Sequence, residues 1–199
     1  DIPAEHESTS LGAFAQIDYD LTEKLELVGG LRYTRDEKDI HRTLSFVFGP
    51  VVVIPFTDST FNDSWNEATY KLGANYYATD DVMLYASYST GYKAGGFNAA
   101  SLTEVAYDPE TVGAYEAGIK SQWLDNRMQL NMSTFYYDYQ DKQEFQIGDF
   151  GQVGGNTRIS NAGAATVKGI ELEVTAQPTE GLALDASLGW QDAEYDEFL

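Results

Sequence analysis

Apolar and polar residues alternate along this chain with a period of two. Leu25, Leu27, Gly29, Leu31 and Tyr33 fall on one side of an extended segment, and Glu26, Val28, Gly30, Arg32 and Thr34 on the other. The alternation returns in Met128, Leu130, Met132, Thr134 and Tyr136 against Gln129, Asn131, Ser133, Phe135 and Tyr137. It returns again in Leu182, Leu184, Ala186, Leu188 and Trp190 against Ala183, Asp185, Ser187, Gly189 and Gln191. Successive side chains of a strand point to opposite faces, whereas a helix needs apolar residues three and four apart, which these segments lack. The pattern predicts roughly eight strands, near 11–20, 25–34, 65–77, 82–90, 111–123, 128–139, 165–176 and 182–195.

The connections alternate in length. Short polar turns fall at Leu21-Thr22-Glu23-Lys24, Ala78-Thr79-Asp80-Asp81, Leu124-Asp125-Asn126-Arg127 and Pro178-Thr179-Glu180-Gly181. Long loops are expected near 35–64, 91–110 and 140–164. Tight turns at one end and long loops at the other are the habit of transmembrane barrels. On the apolar face, Tyr19, Tyr76 and Trp123 stand just before short turns, and Tyr33, Tyr88 and Tyr136 stand toward the long loops. Between them lie Leu27, Leu31, Leu72, Leu84, Ile119, Leu130, Leu172 and Leu184, an apolar band between two aromatic girdles. The opposite face carries Asp18, Glu26, Arg32, Lys71, Glu116, Lys120, Glu171, Glu173 and Asp185. Charges of both signs there are costly in a dry core and natural on a wet wall. A water-soluble sheet with cross-strand aromatic pairs shares these features. Its Leu/Tyr face would need a covering layer, and no helix in the chain offers one. The expected fold is all-β, an antiparallel meander of about eight strands, each pairing with the next, forming part of a larger transmembrane β-barrel.

Composition narrows the function. The chain has 199 residues, with 12 basic against 32 acidic and a net charge of -20, so it repels phosphate and no nucleic acid is expected as a partner. A hydrophobic share of 43% and 14 tyrosines argue against disorder, which acidity alone would allow. There is no cysteine, hence no disulfide framework and no thiolate metal site. No run of about 18 apolar residues exists, and Asp1-Ile2-Pro3-Ala4-Glu5 is not a signal peptide. Neither absence excludes a barrel, whose strands need only about 9–11 residues with every second one apolar.

The stretch Val82-Met83-Leu84-Tyr85-Ala86-Ser87-Tyr88-Ser89-Thr90-Gly91-Tyr92-Lys93-Ala94-Gly95-Gly96-Phe97-Asn98 resembles the signature of TonB-dependent receptors, a strand leading into a GYKxGGFN loop. Gly30-Leu31-Arg32-Tyr33-Thr34-Arg35-Asp36-Glu37-Lys38, Tyr107-Asp108-Pro109-Glu110-Thr111-Val112 and Tyr115-Glu116-Ala117-Gly118-Ile119-Lys120 are similar to family segments in the same order. So are Phe135-Tyr136-Tyr137-Asp138-Tyr139, Asn161-Ala162-Gly163 and Lys168-Gly169-Ile170-Glu171-Leu172-Glu173. Physically, the small residues of Ser89-Thr90-Gly91 let the backbone leave the sheet, Gly95-Gly96 are expected to supply unusual dihedrals, and Pro109 sets a strand start. Gly169 marks a bulge or a close backbone approach. A phosphate loop is rejected because no helix follows.

The resemblance implies a barrel of about 22 strands around a plug, in the outer membrane of a Gram-negative type bacterium. It implies energy from the TonB complex acting through the plug. Residues 1–199 would then be a partial receptor barrel, with the plug domain and the C-terminal strands absent; Phe198 is penultimate, and Asp196-Glu197 break the alternation. The expected function is active uptake of a scarce bulky solute, a ferric siderophore or similar, with outer-membrane lipid as the other partner. A passive outer-membrane channel and a soluble carbohydrate-binding β-sandwich stand as alternatives.

No catalytic constellation stands out, so no enzyme activity, cofactor or metal is expected. His6 and His41 lie far apart, in an expected tail and an expected loop, and Asp192, Glu194, Asp196 and Glu197 read as a solvated acidic loop without EF-hand spacing. Ligand contact is expected at Tyr92, Lys93, Phe97 and Asn98, which combine aromatic surface, one cation and an amide just above a strand end. The competing reading has Tyr92 and Phe97 packing the loop base. The apolar runs at 46–48 and 51–56 suit either a ligand lid or a hairpin that extends the wall.

Overall fold

The structure, a computed structural model, describes residues 3–48, 52–101, 105–147 and 157–197. Twelve strands appear among them: β1 (Ala4–Thr22), β2 (Leu25–Phe48), β3 (Val52–Thr79), β4 (Val82–Lys93), β5 (Gly96–Phe97), β6 (Ala106–Tyr107), β7 (Glu110–Trp123), β8 (Met128–Gln140), β9 (Gln143–Ile147), β10 (Thr157–Asn161), β11 (Ala165–Thr179) and β12 (Leu182–Tyr195). Eight of them make one antiparallel sheet in the order β1-β2-β3-β4-β7-β8-β11-β12, and β5–β6 and β9–β10 are small hairpins outside it. This is the all-β meander that the short turns dictate.

Cross-strand register fixes the faces, because directly opposed residues share one. Tyr19 opposes Leu27, Leu72 opposes Tyr88, Leu84 opposes Ile119, Ile119 opposes Met132, Met132 opposes Leu172, and Leu172 opposes Leu188. The apolar residues thus form one face across all eight strands, and Glu26, Lys71, Glu116 and Glu173 lie on the other. The apolar face is bare: Leu31 is 58%, Leu72 59% and Leu188 69% exposed. A face of that breadth needs a non-aqueous neighbour. On β1 the run from Leu11 to Leu21 covers about 33 Å of strand, or roughly 25 Å of height at the usual barrel tilt, which matches a hydrocarbon band. Tyr70, Tyr88, Tyr115 and Tyr136 form a ring ladder over four strands at its upper edge, with centroids 5.8, 4.6 and 6.3 Å apart. Leu130 lies at the lower edge instead of mid-band, since it opposes Ser121, which opposes Val82, the first residue of β4.

Two expectations need correction. Residues 35–64 are not a loop. β2 and β3 stay paired from Leu25↔Tyr76 to Phe48↔Val52, with one register shift between Leu44 and Ser45. The backbone of 45–48 and 52–56 is therefore a hairpin extending the wall, and 49–51 lie outside the described residues. The segment read as a loop because Thr34-Arg35-Asp36-Glu37-Lys38-Asp39 is polar at inward and outward positions alike, although the strand pairing never stops. His6 is likewise not in a tail: it lies in β1 opposite Ile40.

Gly169 keeps the register on both sides, so it is no bulge. A Cβ there would sit 2.5 Å from the Phe135 ring and 2.6 Å from the Trp190 carbonyl, so the close-approach reading holds.

Candidate functional site

Above Tyr33 the polar face of β2 presents Asp36, Lys38, Ile40 and Arg42, and that of β3 presents Phe61 and Trp65, with Ile40 opposite Phe61. The β4–β7 connection folds onto this surface. β4 parts from β3 after Lys71↔Ser89 but stays with β7 as far as Lys93↔Glu110, so the chain peels off where Ser89-Thr90-Gly91 stand. Gly95 and Gly96 then pass through a tight gap. A Cβ on Gly95 would come within 2.4 Å of the Tyr107 carbonyl and 2.8 Å of the Trp65 ring, and one on Gly96 within 2.4 Å of the Tyr107 hydroxyl. Neither has a positive φ. Their task is therefore close approach and not the unusual dihedrals that the sequence suggested.

The four expected contact residues take different places. The Phe97 ring packs on Phe61 and Trp65, with centroids 6.3 and 6.2 Å apart. Asn98 is buried; its Nδ2 donates to the Ile159 carbonyl and its Oδ1 accepts from the Ile159 N–H, each at 2.8 Å. The Tyr92 hydroxyl is buried without a hydrogen-bond partner among the described residues. Burial first, and then the Asp36 carboxylate, push its pKa up. Lys93 alone is exposed, at the end of β4.

Residues not singled out from the sequence hold this tier together. Arg42, 3% exposed, donates through Nη1 to the carbonyls of Asn98 (3.2 Å), Ala99 (2.6 Å) and Ser101 (2.5 Å), and its guanidinium lies 5.0 Å from the Phe61 ring centre. Burial lowers its pKa. Lys38 donates to the Gly95 carbonyl at 2.6 Å. Gln143 donates through Nε2 to the carbonyls of Ala94 and Asp108, both at 3.0 Å. Farther along, Lys142 bonds to Glu144, and the Tyr195 hydroxyl donates to the same carboxylate at 2.6 Å, which ties β9 to the top of β12. The Lys142 hydrogen bond, then that of Tyr195, lowers the Glu144 pKa, while Lys142 is raised chiefly by Glu144. Arg42 fell within the expected loop 35–64 and carried no signal of its own in the sequence.

Below the tier the polar face has an open hollow of about 170 Å³ lined by Ser87, Ser89, Val112, Ala114, Glu116, Tyr137 and Tyr139. Glu116 at its floor accepts a hydrogen bond from the Tyr85 hydroxyl at 2.5 Å. Among the described residues no group of three or more His, Cys, Asp or Glu is placed to hold a metal ion. Asp192 pairs with Lys168 at 3.3 Å, and Asp196 accepts from the Thr166 hydroxyl at 2.8 Å. His41 lies between Thr60 and Asp58, with contacts of 3.0 and 3.3 Å. The arrangement offers a packed aromatic and amide rim with one exposed cation, above a tyrosine-lined hollow.

Comparison with known proteins agrees with this architecture. The family model described as "TonB dependent receptor-like, beta-barrel" matches residues 1–198. The pesticin receptor of Yersinia enterocolitica is 29% identical over 179 residues, covering 88% of this chain and 25% of that protein. The metal-pseudopaline receptor CntO of Pseudomonas aeruginosa is 28% identical over 190 residues, covering 96% and 25%. The chain thus spans about a quarter of the length of these curated relatives. The crystal structure of the ferric yersiniabactin uptake receptor FyuA from Yersinia pestis superposes with a TM-score of 0.82 at 24% identity, over 100% of this chain and 29% of that one.

Proposed function

Because the chain belongs to the family of TonB-dependent receptor-like β-barrels, we propose that it is a wall segment of an outer-membrane importer for a scarce bulky solute, a ferric siderophore or similar metal chelate. The family's barrels sit in the outer membrane of Gram-negative bacteria and are transporters, not enzymes. One observation carries the uptake reading: above the lipid band the connections fold onto the polar face instead of spreading into solvent. That makes a structured rim over the interior. The likeness to receptors named for pesticin and for metal-pseudopaline supports a chelate as the solute.

Residues 1–199 supply part of the wall, and the plug and the remaining strands lie elsewhere in the whole protein. Energy comes from the TonB complex acting through that plug. Tyr92, Lys93, Phe97 and Asn98 serve binding in two ways. Lys93 meets an anionic chelate directly, and the other three hold the rim that carries it.

The test is uptake of iron-labelled siderophores by cells displaying the full-length receptor, with and without a protonophore. Energy-dependent uptake of a chelate is the expected result. Uptake that continues unchanged after the proton gradient is collapsed points to a passive channel and overturns the proposal. Lys93→Ala should weaken chelate binding several-fold at unchanged receptor level. Deleting residues 45–56 asks whether the hairpin tip contributes as well.

A further inference from the structure

Two asparagines close the rim from opposite sides. Asn98 belongs to the β4–β7 connection and exchanges both amide hydrogen bonds with Ile159 of β10, as given above. Asn161 ends β10, in the β8–β11 connection, and does the same in reverse. Its Nδ2 donates to the Asp108 carbonyl at 2.9 Å, and its Oδ1 accepts from the Asp108 N–H at 2.7 Å. Each side-chain amide thus stands in for a peptide unit of an adjacent strand, trading a donor and an acceptor with one backbone residue of the other connection. Asn161 also donates to the Asp141 carbonyl at 2.7 Å, and Gln143 reaches the carbonyls of Ala94 and Asp108.

We infer that Asn98 and Asn161 are positioning residues, a reciprocal clasp that makes the two connections one body. Only a short amide fits the role. Aspartate at either position keeps the acceptor and loses the donor, and alanine loses both. Breaking one clasp leaves a backbone N–H and C=O without their partners, so each clasp holds the other connection in place for the second to form. The two asparagines stand in two of the segments that carry the family resemblance, the end of Gly95-Gly96-Phe97-Asn98 and the start of Asn161-Ala162-Gly163. Asn98 reaches Ile159, two positions before the second segment, and Asn161 reaches Asp108 in the segment Tyr107-Asp108-Pro109. The clasp's meaning for uptake rests on the function proposed above; the mechanical coupling does not.

Amide hydrogen exchange of the full-length receptor in lipid nanodiscs reads the coupling alone. Asn98→Ala should speed exchange at Ile159 and also at Asp108, each on the order of tenfold, and Asn161→Ala should do the same. The double variant should add little to either. Asn98→Asp and Asn161→Asp should fall between wild type and alanine, and they serve if an alanine variant fails to reach the membrane. If each variant frees only the amide that it bonds, or if the double variant shows the product of the single effects, the asparagines are independent anchors and the clasp is disproved.

Discussion

The lower and upper halves of the β2–β3 ribbon are built on one uninterrupted strand pairing and yet reverse their dress. Below Tyr33 the outward positions are Leu25, Leu27 and Leu31, and the inward ones include Glu26 and Arg32. Above it the outward positions are Arg35, Glu37, Asp39 and His41, while the inward ones include Ile40, Phe61 and Trp65. No bulge intervenes between Leu25 and Leu44, so the strand phase does not change. What changes is the neighbour on each side. Lipid outside and water inside give way to water outside and a folded connection inside. Amphipathicity reports the solvent of each face and not a fixed inside and outside.

This contrast can be broken at several places, all measured as unfolding of the full-length receptor from lipid. The largest effect is expected at Ile40, fully buried under the rim, where Ile40→Ala should cost about 2–5 kcal/mol. Loss of less than 1 kcal/mol would mean that the upper inner face is not a core. Next comes the lipid band. Leu172 sits mid-strand between Ile170 and Val174 on the apolar face, and Leu172→Arg should cost about 2–4 kcal/mol. Leu130→Arg, on the same face beside the short turn, should cost only about 0–1 kcal/mol. Equal penalties at the two sites would remove the assigned depth. Asp39→Leu, outward but above the band, should stay within about 0.5 kcal/mol; a clear stabilisation would extend the lipid contact past Tyr33.

A further effect, confined to the rim, is electrostatic. Glu144 has its pKa lowered chiefly by the Lys142 hydrogen bond, so its contribution is full above the ordinary carboxylate pKa and is lost as pH falls through the lowered value. Lys142 has a raised pKa, so its part is full below the ordinary lysine pKa and is lost as pH rises through the raised value. The tie from β9 to β12 should hold at neutral pH and loosen as pH falls below the ordinary carboxylate range, by no more than about 1 kcal/mol. Exchange at residues 143–147 followed against pH checks this, and Glu144→Gln should flatten the profile. A profile unchanged by Glu144→Gln would show that the tie does not depend on that charge.

The candidate site was legible only in outline. Gly91-Tyr92-Lys93 and Gly95-Gly96-Phe97-Asn98 could be marked as the top of a strand and a special loop, because glycine pairs and an aromatic near a strand end are local features. Which of those side chains face outward is not a local property. Phe97 is covered by Phe61 and Trp65, and Asn98 is held by Ile159, all distant in sequence. Arg42 and Gln143 gave no local signal at all, since a single polar residue on a strand has no period to reveal its partner.

The sequence by itself determined the eight strands of the main sheet where they cross the lipid band, their faces and the band itself. A slip of one residue would turn every leucine of the band toward the wet side, so the period of two excludes odd slips, and the short turns select the register and the strand order. Only the tertiary structure decided that β2 and β3 continue well past the band, that the connections fold inward over Ile40, and that Asn98 and Asn161 lock them to each other. Those outcomes depend on side chains from separate connections meeting above the membrane, where loop closure is governed by geometry and hydrogen-bond satisfaction and leaves no periodic trace in the chain.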